Sequence, residues 1–342
     1  MKTTNWYTIQ GSDNDVVVST RVRLARNLQN YPFDPLMTED QAAQICSLAK
    51  EIYTEDDGWE YTDFGSLTPT ERRAYAEKHL VSREFAESRY KGGLLSKNSV
   101  HIMVLEEDHL RLQSIYPGFA LEEAYRDVSA ADELLDNRAQ IAYNEKFGYL
   151  THCPTNLGTG MRASVMLFLP ACSKAHLIRG FEEQLGKIGL TIRGMTGEGS
   201  KAEGRLFQIS NQITLGVTEE ETIHKLSGIV EQIVKQEREL RGILCKGKRD
   251  ENLVRNQVRR AYGTLLYATL LQTEEMVRLY EDIRLGAALG MIENLNPIRA
   301  DEMLFSCMPN TLMANGECKT PEERDEVRAN RARAILTGET GN

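Results

Sequence analysis

Two arginines, Arg21 and Arg23, stand two residues apart in a segment where apolar side chains alternate with other types. Residues at this spacing on a β-strand project from the same face, so both guanidinium groups would point the same way. A guanidinium stays charged at physiological pH and offers paired N–H donors to phosphate oxygens. The pair therefore predicts a polyphosphate site, although a solvated strand face would have the same spacing.

A second group of charged residues, Glu-Glu-Asp-His-Leu-Arg at 106–111, follows directly on an apolar stretch. Glu107, His109 and Arg111 have the same parity, so a carboxylate, an imidazole and a guanidinium could line one surface. The apolar flanks favour burial of part of this run, and buried charges often mark a functional site. A charged surface turn is the alternative interpretation.

The loop at 152–164 leads into a strongly apolar segment and carries two further candidates, Cys153 and Arg162. Arg162 stands at the entry to the predicted strand, and Cys153 could be a nucleophile. His152 is poorly placed to act as its base, because adjacent side chains on an extended chain point in different directions.

A short glycine-rich segment at 193–198 contains one arginine and one carboxylate, Arg193 and Glu198. Glycines beside a lone carboxylate suit a loop that closes over a substrate, and a plain surface turn would look much the same. Together these segments supply five arginines and two candidate carboxylates. Phosphoryl transfer to nitrogen needs both, because arginines neutralise the phosphates while carboxylates hold a guanidinium acceptor and take up its proton.

The elements that must position these side chains can be predicted from hydrophobic periodicity. The segment 16–24 alternates with period two, which places Val16, Val18, Thr20, Val22 and Leu24 on one face and both arginines on the other. Segments 99–105 and 163–169 are further predicted strands, the second of them buried on both faces. The stretch 118–144 has the spacing of one amphipathic helix.

The last third of the chain is predicted to be almost wholly helical. A capping box of Thr218 and Glu221 begins one helix, and Thr320, Pro321 and Glu323 begin the last one. We therefore expect an α+β fold with an antiparallel sheet flanked by helices, followed by an all-helical part. The predicted domains are residues 1–248 and 249–342. An apolar stripe in the helical part is expected to pack against the first domain or a second copy of the chain, and it comprises Leu253, Val258, Leu265, Leu266 and Leu270.

Composition and motifs exclude several functional classes. The net charge of −9 disfavours a general nucleic-acid binder, and the basic stretch 246–260 is better explained as a solvated helix face. The longest apolar run, 163–172, is too short to span a membrane, and no signal peptide is recognisable at the start. The six cysteines lack zinc-like spacing, which predicts reduced thiols in a cytoplasmic protein. P-loop, GxSxG and HExxH motifs do not occur in the sequence.

Five motifs, at 19–27, 106–111, 153–159, 193–198 and 208–211, resemble the phosphagen kinase catalytic domain and occur in that family's order. The resemblance implies ATP with Mg²⁺, a catalytic role for Glu107 and Glu198, and a position beside the guanidinium for Cys153. It implies that His79 lies by the adenine and that five arginines hold the phosphates. The ATP-binding residues implied in this way are Ser19, Thr20, Arg21, Val22, Arg23, His79, Arg111, Arg162, Ala163, Ser164, Val165, Met166, Arg193, Gly194, Met195, Thr196, Gly197 and Glu198. The sequence itself suggests no dedicated all-protein metal site, which fits Mg²⁺ bound mainly through phosphate and water.

Two departures from the family pattern affect these expectations. Family members carry a long helical domain before the first arginine motif, whereas only 18 residues precede Ser19 here. We therefore expect a more open guanidinium pocket. Leu105 stands where the family has Asn, which leaves the contact of that position undetermined.

Without the family's N-terminal domain and with a helical extension, the chain resembles the bacterial protein-arginine kinases. The resemblance implies phosphorylation of arginine side chains in proteins, which marks them for a Clp protease, and an activator protein and a homodimer in the cytoplasm. It also implies an allosteric phosphoarginine site in an Arg-Asp-x-x-Arg-Ala motif, at Arg324, Asp325, Arg328 and Ala329. Two alternatives remain open: a kinase of free arginine or a related small molecule, and a non-catalytic adaptor that reads phosphoarginine.

Overall fold

The computed structural model describes residues 5–34, 36–88, 92–194 and 204–339. The strands in these ranges are β1 Val17–Arg26, β2 Glu60–Asp63, β3 Gly93–Lys97, β4 Val100–Val104, β5 Leu110–Pro117, β6 Tyr143–Asn144, β7 Gly148–Tyr149, β8 Met161–Phe168, β9 Leu190–Gly194 and β10 Leu206–Asn211. Eight of them form one antiparallel sheet in the order β2-β3-β4-β5-β1-β8-β10-β9, and β6 and β7 form a separate hairpin. The predicted strands 99–105 and 163–169 correspond to β4 and β8.

The helices in the same ranges are α1 Glu39–Thr54, α2 Pro69–Glu77, α3 Arg83–Ala86, α4 Leu121–Asp136, α5 Pro170–Lys174, α6 Ile178–Lys187, α7 Glu219–Leu244, α8 Lys248–Tyr267, α9 Thr273–Ala288, α10 Pro297–Ser306, α11 Pro309–Ala314 and α12 Pro321–Thr337. Both predicted capping boxes are present, at the starts of α7 and α12. The expected α+β class, with helices alone after β10, is confirmed.

The first strand carries two of the arginines and differs from its predicted pattern at the start. The prediction placed Val18 on the same face as Val22. An irregularity in the pairing with β8 lies between Val17 and Ser19, and it shifts the alternation there. As a result Val17 packs with Val22 in one hydrophobic core, and Val18 packs in a second core.

The single helix predicted for 118–144 is wrong in its length. α4 ends at Asp136, and the residues after it run extended beside the end of β1. Ile141 forms an isolated bridge with Leu28, and the amide of Ala142 donates to the carbonyl of Asn27 at 2.7 Å. These backbone hydrogen bonds replace those of a helix. Ile141 is therefore partly buried by its pairing with Leu28, and it does not belong to the apolar face of a helix.

Two hydrophobic cores lie on opposite faces of the sheet. α1, α4, α6 and α7 contribute to the first core, with Ile45 on α1 and Leu226 on α7 fully buried. The second core joins side chains of the sheet, such as Met103 and Met166, to α2, α3 and the C-terminal helices. The C-terminal helices therefore pack on the second face.

A buried ion pair also attaches the helical part to the first strand. Arg284 on α9 is completely buried and lies 2.8 Å from Asp301 on α10. The same guanidinium donates to the carbonyls of Asn14 and Asp15 at 2.8 and 3.1 Å. Because breaking a buried pair leaves an uncompensated charge, these contacts fix the start of β1 to α9 and α10.

The predicted apolar stripe of the helical part divides into two sets. Val258 and Leu265 on α8 are buried in the second core, whereas Leu253 and Leu270 are 60% and 62% exposed. The predicted division of the chain at 248/249 falls at the start of α8. None of the helices in the described ranges has the length and apolar character that crossing a membrane requires.

Candidate active site

Four arginine side chains project from one face of the sheet, on three neighbouring strands. Paired residues in an antiparallel ladder share a face. Arg23 is paired with Arg162 of β8, and Ala25, two residues further along β1, is paired with Arg111 of β5. Arg21 has the same parity as Arg23. The sheet therefore brings together four of the five arginines that the sequence singles out.

The fifth arginine, Arg193, lies exposed on β9 and projects from the same face. It is paired with Gln208 of β10, which is paired in turn with Met166 of β8. Gly194 ends β9, and the remaining residues of the predicted loop, Met195, Thr196, Gly197 and Glu198, lie outside the described residues. The predicted roles of those four residues are not addressed by the structure.

The arginines repel one another, because they share a partly buried space. Burial, followed by the charges of Arg111 and Arg162, lowers the pKa of Arg21 to about 10. Burial and the charges of Arg21, Arg111 and Arg162 also hold the pKa of Arg23 well below its usual value. Burial, Arg193 and Arg111 lower the pKa of Arg162. A polyanion on this face would remove the repulsion, so the cluster fits a polyphosphate.

Several N–H donors of this cluster are available to a ligand. The buried Nε atoms of Arg23 and Arg162 have no hydrogen-bond partner among the described residues. Two uncharged side chains of β10 orient the guanidinium groups: Gln208 Oε1 accepts from Arg21 at 3.2 Å, and Ser210 Oγ accepts from Arg162 at 3.1 Å. Both residues lie in the motif at 208–211, and their period-two spacing matches that of the arginines, although no role was predicted for either.

Arg111 differs from the other arginines because it has a carboxylate partner. Both oxygens of Glu106 lie 2.7 Å from its Nη1, and the hydroxyl of Ser82 donates to Glu106 at 2.6 Å. Burial alone would raise the pKa of Glu106, but Arg111 and Ser82 outweigh it and lower that pKa. Sequence reasoning identified the run 106–111 but not this pair, which depends on the turn between β4 and β5.

Glu107, the predicted base, is exposed in the turn between β4 and β5. Burial of part of its side chain and the charge of Asp108 raise the pKa of its carboxyl group. Asp108 is buried and accepts hydrogen bonds from Asn27 Nδ2 and from the amide of His152, both at 2.7 Å. Asp108 therefore ties the Glu107 turn to the end of β1 and to the loop that carries Cys153.

His109 does not line the arginine surface, so that expectation is wrong. Its Nδ1 accepts from the amide of Leu28 at 3.0 Å, and its Nε2 donates to the carbonyl of Pro32 at 3.0 Å. Residues 105–109 form a turn before β5 begins at Leu110, so strand parity does not apply to them. His109 instead supports the backbone after β1, and burial lowers its pKa.

The position of Leu105 in that turn has a left-handed backbone conformation, with φ +66°. Asn adopts this region more readily than Leu, because its short polar side chain can hydrogen-bond locally. The Leu105 side chain is buried in the first core. Leu105 therefore accepts a left-handed backbone in this turn and places its apolar side chain in the core.

Cys153 lies partly exposed in the loop joined to the Glu107 turn. Its Sγ lies 3.0 Å from the hydroxyl of Thr155, and its carbonyl accepts from Thr151 at 2.8 Å. The contact between His152 and Asp108 places this loop beside the Glu107 turn. Its role toward an acceptor remains a prediction.

The other residues predicted to bind ATP divide between the two faces of the sheet. Ser19, Ser164 and Met166 share the face of the arginines. The alternate residues project from the opposite face, where they are buried, and they are Thr20, Val22, Ala163 and Val165. The structure therefore does not bring the side chains of the second set to the arginine cluster.

His79 lies at the edge of the arginine cluster, just after α2. Its carbonyl accepts from the side chain of Gln113 at 3.0 Å, and Gln113 is paired with Arg23 across the ladder. Burial, Arg21 and Arg83 lower the pKa of His79 to about 3, so its ring is neutral at physiological pH.

The predicted phosphoarginine residues occupy the first half of α12. Arg328 is completely buried and donates to the carbonyls of Cys307 and Leu271 at 3.0 and 2.6 Å and to Asp325 at 2.5 Å. Its Nη2 and the Nε of Arg324 are buried without a partner among the described residues. Ala329 is fully buried. No three His, Cys, Asp or Glu side chains of the described residues could together hold a metal ion.

Two family models match most of the chain. Residues 40–240 match the family described as "ATP:guanido phosphotransferase, C-terminal catalytic domain", and residues 251–341 match "Protein-arginine kinase McsB C-terminal domain". A protein-arginine kinase of Brevibacillus brevis is 40% identical over 340 residues, which cover 97% of this chain and 95% of that protein. A protein-arginine kinase of Pelotomaculum thermopropionicum is 40% identical over 336 residues, 95% of this chain and 93% of that protein.

Solved structures of guanidino kinases resemble the sheet and its helices. A crystal structure of lombricine kinase has a TM-score of 0.58 and 25% identity, and the match covers 70% of each chain. The substrate-free duplicated taurocyamine kinase of Schistosoma mansoni has a TM-score of 0.60 and 24% identity, over 72% of this chain and 37% of that chain. The second likeness indicates a common fold only.

Proposed function

Since this chain belongs to the ATP:guanido phosphotransferase family and, within it, to the protein-arginine kinases, we propose that it phosphorylates arginine side chains of other proteins. It is a guanidino phosphotransferase, and its phosphoryl donor is ATP. The observation that carries the proposal is the mutually repelling arginine cluster with unpartnered N–H donors, next to the turn that presents Glu107.

In the proposed reaction, the arginines hold the phosphates and Glu107 accepts a proton from the acceptor guanidinium. A free guanidinium has a pKa above about 12, so its nitrogen needs a base before it can attack. The nitrogen lone pair then forms the P–N bond while the bond from phosphorus to the ADP oxygen breaks. Arg21, Arg23 and Arg162 stabilise charge on the transferring group, and Glu106 holds Arg111 in position.

We assign Glu198 to the second carboxylate contact of the acceptor and Cys153 to the wall of the acceptor pocket. An arginine-rich site of this kind fits Mg²⁺ that is bound mainly through the phosphates of ATP. When bound, the ion would neutralise charge on those phosphates. The remaining predicted nucleotide contacts are proposed for Ser19, Ser164 and Met166, which share the arginine face, and for His79 at its edge.

The second proposed site, for phosphoarginine, lies at Arg324, Asp325, Arg328 and Ala329 on α12. Arg324 and Arg328 are four residues apart on one helix, and each has a buried N–H donor without a partner among the described residues. A phosphate accepts such donors well, and Asp325 could receive the guanidinium part of the ligand. Binding there would regulate the kinase.

The cellular setting is proposed from the resemblance to protein-arginine kinases. The substrates are proteins that present arginine, and phosphoarginine marks them for a Clp ATPase and its protease. An activator protein, a homodimer and a cytoplasmic location belong to the same proposal. In the same proposal, residues 1–248 catalyse the reaction, and residues 249–342 dimerise and bind phosphoarginine.

The acceptor can be identified by offering ATP with an unfolded protein and, separately, with free arginine. We expect acid-labile phosphate on the protein and little on free arginine, since the enzyme acts on arginine within a chain. Preferential labelling of free arginine would make the protein a small-molecule guanidino kinase. No ADP formation with any acceptor would favour the adaptor that only reads phosphoarginine.

A further inference from the structure

Glu77, the last residue of α2, makes a dense set of hydrogen bonds to the C-terminal helices. Its Oε1 accepts from the amide and the side-chain Nδ2 of Asn310 at 3.0 and 2.6 Å. Its Oε2 accepts from the amide and the hydroxyl of Thr311 at 2.7 and 3.0 Å. These donors belong to the first turn of α11, whose amides have no acceptor within their own helix. Glu77 thus attaches α2 firmly to α11.

His79, two residues later, follows the end of α2 in a left-handed backbone conformation with φ +59°, a region in which His is more common than most residues with a side chain. The amides of His79 and Leu80 donate to the carbonyls of Ala76 and Tyr75 at 3.0 and 3.1 Å, which is the usual way to end a helix, and ring contacts then hold the side chain. The ring lies 5.2 Å from the ring of Phe305 on α10 and 6.3 Å from that of Trp6. Trp6 also donates its indole N–H to the carbonyl of Lys78 at 2.9 Å.

The segment 77–79 is therefore held between the C-terminal helices and the arginine face of the sheet. On the side of the helices it contacts α11 through Glu77 and α10 through Phe305. On the side of the sheet, Gln113 donates to the carbonyl of His79 and is paired with Arg23. Displacing the α11 contact would shift the residue that borders the nucleotide site.

We propose that Glu77 is a positioning residue of the nucleotide site: by fixing α11 to the end of α2, it holds His79 in the orientation that ATP requires. The inference rests on the proposed function, in which His79 borders the adenine. It assigns to the C-terminal helices an indirect part in ATP binding, through the contacts of α10 and α11 with the segment 77–79, that is separate from any role of α12. Glu77 itself contacts neither ATP nor the acceptor.

The test compares full-length wild-type protein with Glu77→Gln in steady-state kinetics. In the variant, the amide nitrogen of Gln replaces a carboxylate oxygen that accepts hydrogen bonds from α11, so the contact with α11 weakens. The size of the side chain stays the same. We expect the KM for ATP to rise about tenfold, with kcat within about twofold and the KM for the protein acceptor unchanged. The matched control is Glu84→Gln, an exposed glutamate on α3, which should leave all three constants unchanged.

Trp6 provides a second measurement that does not require turnover. The chain has two tryptophans, so a Trp59→Phe background leaves Trp6, stacked on His79, as the reporter. We expect ATP to change its emission, and Glu77→Gln to change the emission of the free protein and to weaken the ATP titration about tenfold. Should Glu77→Gln fold poorly, Phe305→Leu, which removes the ring contact of α10 with His79, must give the rise in the KM for ATP. If both variants fold, their effects must not add.

A folded Glu77→Gln variant with a wild-type KM and Kd for ATP would overturn the inference. A tenfold loss of kcat at an unchanged KM for ATP would also overturn it, because that result would indicate general damage to the active site. Failure of the proposed function gives a different result: wild-type protein would label no arginine, while the Trp6 titration would still report whether Glu77 affects ATP binding.

Discussion

Glu107 lies in a turn with two other acids, and its ionisation follows from that position. Burial, Asp108 and Glu106 raise its pKa, against a smaller opposing effect of Arg111. Glu106 is paired with Arg111, and Asp108 is buried and accepts hydrogen bonds from Asn27 and His152. Glu107 is thus the acid of this turn with both exposure and a raised proton affinity, as a general base requires.

The raised pKa of Glu107 predicts the pH dependence of the reaction. A base must be deprotonated, so activity is lost as the pH falls through the pKa of Glu107. Because that pKa is raised, we expect the acidic limb of kcat/KM for the acceptor to have an apparent pKa above about 4.3, the usual Glu value. The measurement is a pH–rate profile, with circular dichroism to confirm folding at each pH. A limb below the usual value would contradict the assignment.

The sequence identifies the charged residues of the site but not all their roles. Spacing alone indicated Arg21 and Arg23, because residues two apart on a β-strand project from the same face. The same argument failed for His109, because the residues before Leu110 form a turn and the imidazole bonds to backbone groups of Leu28 and Pro32. The Glu106–Arg111 pair depends on that turn as well, and no periodicity encodes it.

The sheet is the element that concentrates positive charge, and the free protein is destabilised by it. Strands β5, β1 and β8 present four arginines to one another, and burial and mutual repulsion lower the pKa of Arg21, Arg23 and Arg162. A lowered arginine pKa means that folding disfavours the charged form of that arginine. A bound polyanion reverses this effect. The same arginine charges therefore strengthen the binding of ATP and reduce the stability of the free protein.

Arg162→Ala should therefore raise or preserve the Tm of the free protein while weakening ATP binding. Ligand stabilisation at 100 times the Kd is about 2.7 kcal/mol, and a variant that binds more weakly loses part of it at the same ATP concentration. Differential scanning fluorimetry with and without ATP measures both effects. Arg126→Ala, at an arginine on the exposed side of α4, is the control and should keep the wild-type ATP shift. Undiminished ATP stabilisation of Arg162→Ala would contradict its role.

On α12 the two arginines of the proposed phosphoarginine site should behave differently. Arg328 is buried and satisfies the carbonyls of Cys307 and Leu271, so Arg328→Ala should cost about 3 kcal/mol or more of unfolding free energy. Arg324 is only partly buried, and Arg324→Ala should weaken binding of a phosphoarginine peptide with little change in stability. Urea unfolding and peptide titration separate the two effects. Equal peptide affinity for Arg324→Ala and wild type would exclude Arg324 from that site.

The elements were easier to predict than their ends. Capping boxes located the starts of α7 and α12, because the side chains that satisfy the first amides are local in sequence. The end of α4 was missed because residues after Asp136 pair with the end of β1, more than a hundred residues away in sequence. The irregularity at the start of β1 arises from its pairing with β8 and has no local signal either.

Across the whole molecule, the C-terminal helices share a core with the sheet and leave another apolar surface exposed. Val258 and Leu265 are buried against the chain itself, whereas Tyr267 and Leu270, near the end of α8, are 82% and 62% exposed. Association with a second copy would remove this apolar area from water. The proposed homodimer would cover both side chains.

The double variant Tyr267→Glu, Leu270→Glu should convert the proposed dimer to monomer. Two buried carboxylates at a symmetric contact would each lack a partner, which outweighs the apolar gain of association. Sedimentation velocity gives the mass directly. Leu36→Glu, at a residue 80% exposed in the loop before α1, is the control and should leave the mass unchanged. A dimer that persists in the double variant would place the interface elsewhere.

In the proposed reaction, the arginine cluster and Glu107 act together to phosphorylate arginine in proteins. The most direct measurement is phosphosite mapping by mass spectrometry on a protein mixture incubated with ATP and either wild-type protein or Glu107→Gln. We expect phosphate on arginine with wild type, and at least about a hundredfold less with Glu107→Gln at unchanged ATP affinity. Wild-type labelling of other residue types, or undiminished arginine labelling by Glu107→Gln, would contradict it.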